Sequence, residues 1–170
     1  MKKTPKVLII AGSLVLLGCI VFVCVMSALK WDFTKLSTAE YETNVTEIDE
    51  EFGRISVFTE TANIKLALSE DGICRVECRE EQKAMHKVAV ENDTLTVKID
   101  NRKEWYDYIG FGFGEQRITI YLPKTEYAAL FIEGKTGNVE IPKNYSFESA
   151  DISLATGNVD FYASVAGAVK

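Results

Sequence analysis

The residues able to do chemistry in this chain are few, and their spacing limits what they can do. There is one histidine, His86, and there are four cysteines among 170 residues. Cys74 and Cys78 lie four apart in a segment that reads as extended. They then share a face with Cα atoms roughly 13 Å apart, at about 3.3 Å per residue. A disulfide needs about 7 Å or less, so the two are not expected to pair. Zinc is not expected either, because a single histidine has no second ligand pair beside it. Ser and Thr are plentiful, but one histidine, read as a surface residue, cannot be set beside a nucleophile by spacing. Acids cluster at Asp49-Glu50-Glu51 and at Glu80-Glu81. A glycosidase holds two carboxylates about 5–9.5 Å apart across a cleft, and calcium loops need a fixed ligand spacing. Neither pattern is present, and the acids read as solvated turns. The expectation is a protein that is not an enzyme, with no catalytic residue, metal ligand or cofactor.

The densest candidate for recognition is aromatic. Trp105, Tyr106, Asp107 and Tyr108 run on to Phe111 and Phe113, with Gly110, Gly112 and Gly114 interspersed. Exposed Trp and Tyr stack on sugar rings or sit at a membrane interface. The same stretch would serve as a loop folded back to cap the end of the domain. Asp107 is the one acid set among these rings. The glycines do not form a dinucleotide fingerprint, because their spacing is wrong and no strand–loop–helix surrounds them.

Two larger features must position these residues. The first is an uncharged apolar run from Val7 to Leu29. At about 1.5 Å per residue it spans roughly 34 Å, enough for a hydrocarbon core of about 30 Å. Lys2, Lys3 and Lys6 precede it and no acid lies before Asp32, which predicts a cytoplasmic N-terminus and an outward C-terminal part. The run is longer than the apolar region of a signal peptide. A lipobox-like Leu16-Leu17-Gly18-Cys19 is followed by strongly apolar residues where a mature lipoprotein turns polar. The net charge is −6, and the residues after the three lysines carry −9. An acidic domain argues against nucleic acid as a partner.

The second feature is a repeat. Thr136-Gly137-Asn138-Val139-Glu140-Ile141 returns as Thr156-Gly157-Asn158-Val159-Asp160-Phe161, and Ile132 has Ile152 as its counterpart. A short fixed period with alternating apolar residues marks stacked β rungs. Gly137 and Gly157 are expected at the corners, with Asn138 over Asn158. From Tyr41 onward, segments of four to eight residues alternate apolar and polar between turn residues, with no helical period. The expected organisation is a cytoplasmic segment 1–6, an anchor 7–29, a linker 30–40 and a β domain 41–170. Within it, a meander over 41–122 leads to rungs from about 125. The last residues, Ser164 to Lys170, look like the start of another rung. This predicts a truncated chain or an open edge that pairs with another copy.

The anchor, Trp31 after it, Ile118-Thr119-Ile120-Tyr121-Leu122-Pro123, the stretch Tyr127–Ile132 and the T-G-N-V units resemble the putative-adhesin β-solenoid proteins of Gram-positive bacterial envelopes. The resemblance covers about residues 30 to 170. It implies an all-β, β-solenoid fold behind one transmembrane helix, at the cell surface. It also implies roles in adhesion or in envelope-stress signalling with envelope proteins as partners. From the residues themselves, the polar strand faces or the aromatic loop would meet a cell-wall or host glycan, and stacked solenoid ends would allow a polymerising scaffold. It supplies no catalytic residues.

Overall fold

The computed structural model describes residues 4–37, 39–108, 112 and 114–167. The chain divides into two compact units: residues 1–38 with 111–113, and residues 39–110 with 114–170. The first contains helix α1 (Thr4–Ala28). Residues Lys6–Ala28 are long and apolar enough to cross a membrane. From Val7 to Val25 the large apolar side chains of α1 are exposed, the reverse of a helix packed into a core. Lys30 and Trp31 adopt φ of 55° and 59° where the helix ends, and Phe33–Leu36 forms one 3₁₀ turn.

The second unit is built from strands whose alternation was legible. In order they are β1 (Tyr41–Ile48), β2 (Arg54–Thr61), β3 (Asn63–Leu68), β4 (Cys74–Glu81), β5 (Ala84–Glu91) and β6 (Thr94–Asn101). After a 3₁₀ turn at Trp105–Tyr108 come β7 (Arg117–Leu122), β8 (Glu126–Thr136), β9 (Val139–Ile141), β10 (Ser146–Thr156), β11 (Val159–Phe161) and β12 (Ser164–Val165). They form two six-stranded sheets, ordered β1-β4-β7-β3-β9-β11 and β12-β10-β8-β2-β6-β5. The inward residues of both sheets meet in one core cluster, including Ile55, Val57, Ile64, Leu66, Val97, Ile120, Ile132 and Ile141. Polar residues between them face out, as period-2 burial requires.

The repeat is realised in register. Strand β8 pairs in parallel with β10, placing Ile132 opposite Ile152 and Thr136 opposite Thr156. Strand β9 pairs in parallel with β11, placing Val139 opposite Val159. Gly137 and Gly157 are equivalent corners with φ of 146° and 138°. A Cβ on Gly137 would lie 2.0 Å from the carbonyl oxygen of Ala62, and one on Gly157 would lie 1.7 Å from that of Gly137. Conformation and close approach therefore both demand glycine at these corners.

Two expectations are corrected. Parallel tiers begin at Arg54, not near 125. Strand β2 lies in parallel against β8, with Val57 opposite Ile132 and Thr61 opposite Thr136, and Ile64 of β3 lies opposite Val139. Thr61-Ala62-Asn63-Ile64 is thus a first copy of the corner. Ala62 replaces the glycine, and 75 residues separate Asn63 from Asn138, so the period is hidden in sequence. The domain is also not a uniform coil of parallel rungs. Strand β4 runs antiparallel to β1 and β7, and β5 runs antiparallel to β6, so both sheets are mixed.

Candidate functional site

Three places bring chemically equipped side chains together. The first is the outer face of the parallel tiers. The side chain of Asn63 accepts the backbone N–H of Asn138 at 2.9 Å, and that of Asn138 accepts the N–H of Asn158 at 3.0 Å. Asn63 and Asn138 thus each satisfy the tier above with the side-chain oxygen, and the Asn63 amide donates to Glu115 at 2.7 Å. Beside this ladder Lys65 of β3 donates to Glu140 of β9 at 2.9 Å, and Arg117 donates to Glu115 at 3.1 Å. Thr119, Tyr121 and Asp160 complete a shallow groove of about 740 Å³ along the strands. It offers donors, acceptors and one aromatic face in rows one strand spacing apart, about 4.8 Å. Sequence reasoning marked Gly137, Asn138, Gly157 and Asn158 as repeat corners, and of these Asn138 and Asn158 line the groove. It missed Asn63, whose copy of the corner lacks glycine.

The second place is the aromatic turn. Trp105 is 74% exposed and Tyr106 is 54% exposed. Their rings meet edge to face with centroids 5.9 Å apart, and Lys83 Nζ lies 5.6 Å from the Tyr106 centroid. Asp107 is committed to holding this turn. It accepts from Lys83 and from the Glu104 backbone N–H at 2.9 Å, and the Lys83 ammonium is the larger cause of its depressed pKa. Tyr108 ends the 3₁₀ turn. Phe111 and Phe113 lie outside the described residues.

The third place was not foreseen. His86 is a core residue, not a surface one: its side chain is 1% exposed, and that of Glu80 is 2% exposed. The cause is strand phase. Ala84, His86, Val88 and Val90 lie two apart on β5, and Val88 and Val90 pack against the core. His86 follows them inward, a signal already present in the alternation. On β4 the inward positions are Cys74, Val76, Cys78 and Glu80. Imidazole Nδ1 lies 2.6 Å from Glu80 Oε2, and Nε2 lies 2.9 Å from the Thr59 hydroxyl. Glu80 also accepts the His86 backbone N–H at 2.7 Å and the Asn44 amide at 3.1 Å. Cys78 brings its sulfur within 4.8 Å of ligand atoms on both Glu80 and His86. Burial, with Glu80 and Glu77 adding repulsion, pushes the Cys78 thiol up to about 12. Burial alone pushes Cys74 up to about 11. Both cysteines are free, buried thiols.

Thr59, His86 and Glu80 stand in the order nucleophile, base and orienting acid that acyl transfer uses. All three are sealed in the core, with Thr59 only 7% exposed, so a substrate carbonyl has no approach in this conformation. The arrangement as it stands is a satisfied buried network, and such networks fix one packing of a core.

The profile of the Toastrack DUF4097 family matches residues 52–168. Among solved structures, a "putative adhesin" from Bacteroides fragilis is 23% identical with a TM-score of 0.46, covering 74% of this chain and 61% of that one. Another "putative adhesin", from Parabacteroides distasonis, is 12% identical with a TM-score of 0.49, covering 72% and 57%. A "putative cell adhesion protein" from Clostridium sporogenes is 10% identical with a TM-score of 0.41, covering 76% and 98%. This chain thus spans less than two thirds of the length of the first two relatives. No curated protein matches it. The T-G-N corners and the strands they join all fall within the matched span, and the chain belongs to the Toastrack DUF4097 family.

Proposed function

We propose that this chain is a non-enzymatic surface interaction module, held to a membrane by α1, whose outer tier face binds an extended glycan of the cell wall or of a host. The parallel tiers act as a short β-solenoid that presents this face, and the β domain lies outside the membrane with the N-terminus inside. The observation that carries the reading is the groove of about 740 Å³, in which Asn138, Asn158, Thr119 and Tyr121 line up along one face. Polar groups in rows with an aromatic ring match the alternating hydroxyls and flat faces of a sugar polymer. The test is co-sedimentation of the full chain in detergent with insoluble peptidoglycan, and retention on immobilised host glycans. Tyr121→Ala and Asn158→Ala are expected to remove most binding, whereas Trp105→Ala separates a contribution from the aromatic turn. Binding to neither glycan class, or binding indifferent to Tyr121 and Asn158, would sink the reading.

One feature favours a second reading, self-association into a scaffold. Strand β12 covers only Ser146 and Phe147 of β10, so among the described residues the rest of β10 and all of β11 form an open edge. Val159 on this edge is 44% exposed. An open edge invites strand pairing with a second copy. Concentration-dependent growth in light scattering, abolished by Val159→Lys, is the expected result; a monomer at all concentrations removes it.

A further inference from the structure

The geometry points to a metal site: Cys78, Glu80 and His86 bind one divalent transition-metal ion of the zinc class, clamping β4 of one sheet to β5 of the other. Three observations carry this. One thiol, one carboxylate and one imidazole each offer a ligand atom, and these atoms lie within 4.8 Å of one another. The edge of a tetrahedral zinc site is roughly 3.3–3.8 Å at Zn–N and Zn–S lengths of about 2.1 and 2.3 Å, so small side-chain movements suffice. This N, O, S donor set suits a borderline-soft ion and is foreign to calcium or magnesium.

The surrounding groups already hold the ligands as a metal requires. If Nδ1 faces the ion, Nε2–H donates to the Thr59 hydroxyl 2.9 Å away, which fixes the tautomer. Glu80 Oε1 is held by Asn44 at 3.1 Å and Oε2 by the His86 backbone N–H at 2.7 Å, so the carboxylate is oriented beside the imidazole, and the ion replaces its 2.6 Å contact with Nδ1. Asn44 sits opposite Cys78 in the β1–β4 register, so ligands and supports come from adjoining inward positions. Charge also balances. Cys78 binds as the thiolate, its proton passing to solvent, so two anionic ligands, Cys78 and Glu80, and a neutral imidazole surround a divalent cation. The loaded site carries no net charge, and the large cost of an uncompensated ion in the core is avoided. A water completes the fourth position. With three protein ligands on two strands of different sheets, the ion acts as a cross-link, and metal binding adds to folding stability.

The test uses the full chain in detergent, stripped with a chelator and titrated with Co²⁺. A saturable thiolate-to-cobalt charge-transfer band at one ion per chain is expected, displaced by Zn²⁺. Cys78→Ser should abolish the band, and Glu80→Gln should weaken binding at least about 10–100-fold, the range already seen when only outer-shell partners are lost. Cys74→Ser, a change at the other buried thiol, should leave it intact. A band that survives Cys78→Ser arises from Cys19, Cys24 or Cys74 and overturns the proposal, as does no band at all. Should a variant fail to fold, X-ray absorption on the wild-type zinc-loaded chain decides: one sulfur with nitrogen and oxygen neighbours supports the site, and a shell without sulfur refutes it.

Discussion

At the scale of single residues, the two corner glycines and the buried thiols make the sharpest claims. Gly137→Ala places a methyl group against the Ala62 carbonyl in a conformation that L residues rarely adopt. It is expected to lower stability by at least about 1–3 kcal/mol in a urea titration. Gly72 has φ of 78° but open space around its missing Cβ, so Gly72→Ala should cost less, about 1 kcal/mol. In the metal-free chain, burial pushes the Cys74 thiol up to about 11 and, with Glu80 and Glu77 adding repulsion, the Cys78 thiol up to about 12, against 9.0 for an unperturbed thiol. A raised acid pKa means that the unfolded chain loses its protons first. Stability should therefore fall as pH rises from about 9 towards these folded values, and the fall should shrink in Cys78→Ser. At pH 8 a thiol reagent is expected to label Cys74 and Cys78 only as the domain unfolds. Asp71 shows the opposite sign. Its hydrogen bond from Arg75, then those from Ser69 and the Ile73 backbone, hold its carboxyl well below the usual value of 3.8. Its contribution is complete above that value and lost as pH falls beneath it. Asp71→Asn should flatten this acid limb in a pH series of melts.

At the scale of elements, the asparagine ladder ties one tier to the next. Asn138→Ala removes the acceptor of the Asn158 N–H and should cost about 0.5–1.5 kcal/mol. The exposed pair Lys65–Glu140 should matter far less: Lys65→Ala is expected within about 0.5 kcal/mol of wild type in the same urea titration. Most of these elements were legible. The bounds of β1, β3, β7 and β11 match the alternating runs in the sequence, although only β3 and β7 bury an apolar row; β1 turns Val45 outward and Val159 of β11 is exposed. Strands β8 and β10 are longer than their apolar cores suggest, since their ends are held by parallel partners rather than by burial. Pairing across 75 residues is not written in local pattern, so the Asn63 tier stayed hidden. His86 is the instructive miss. Its type argued for the surface, whereas its phase with Val88 and Val90 argued for the core, and phase won because Glu80 and Thr59 satisfied both ring nitrogens.

At the scale of the whole molecule, the proposed anchoring by α1 has its own test. Removing residues 1–29 is expected to shift the chain from the membrane to the soluble fraction on cell fractionation. The spacing of the tiers has a kinetic consequence. Twenty residues join Asn138 to Asn158, but 75 join Asn63 to Asn138. Closing the longer loop costs about 1.2 kcal/mol more in chain entropy, and the intervening strands β4 to β7 must themselves find their places. The β8–β10 pair should therefore nucleate first and wait for β2 to dock. In pulse-labelled hydrogen exchange, amides linking β10 to β8 gain protection before those linking β2 to β8. The chain's first tier is then the last to arrive, and during that interval the apolar flank of β8 stands open to capture by a neighbour.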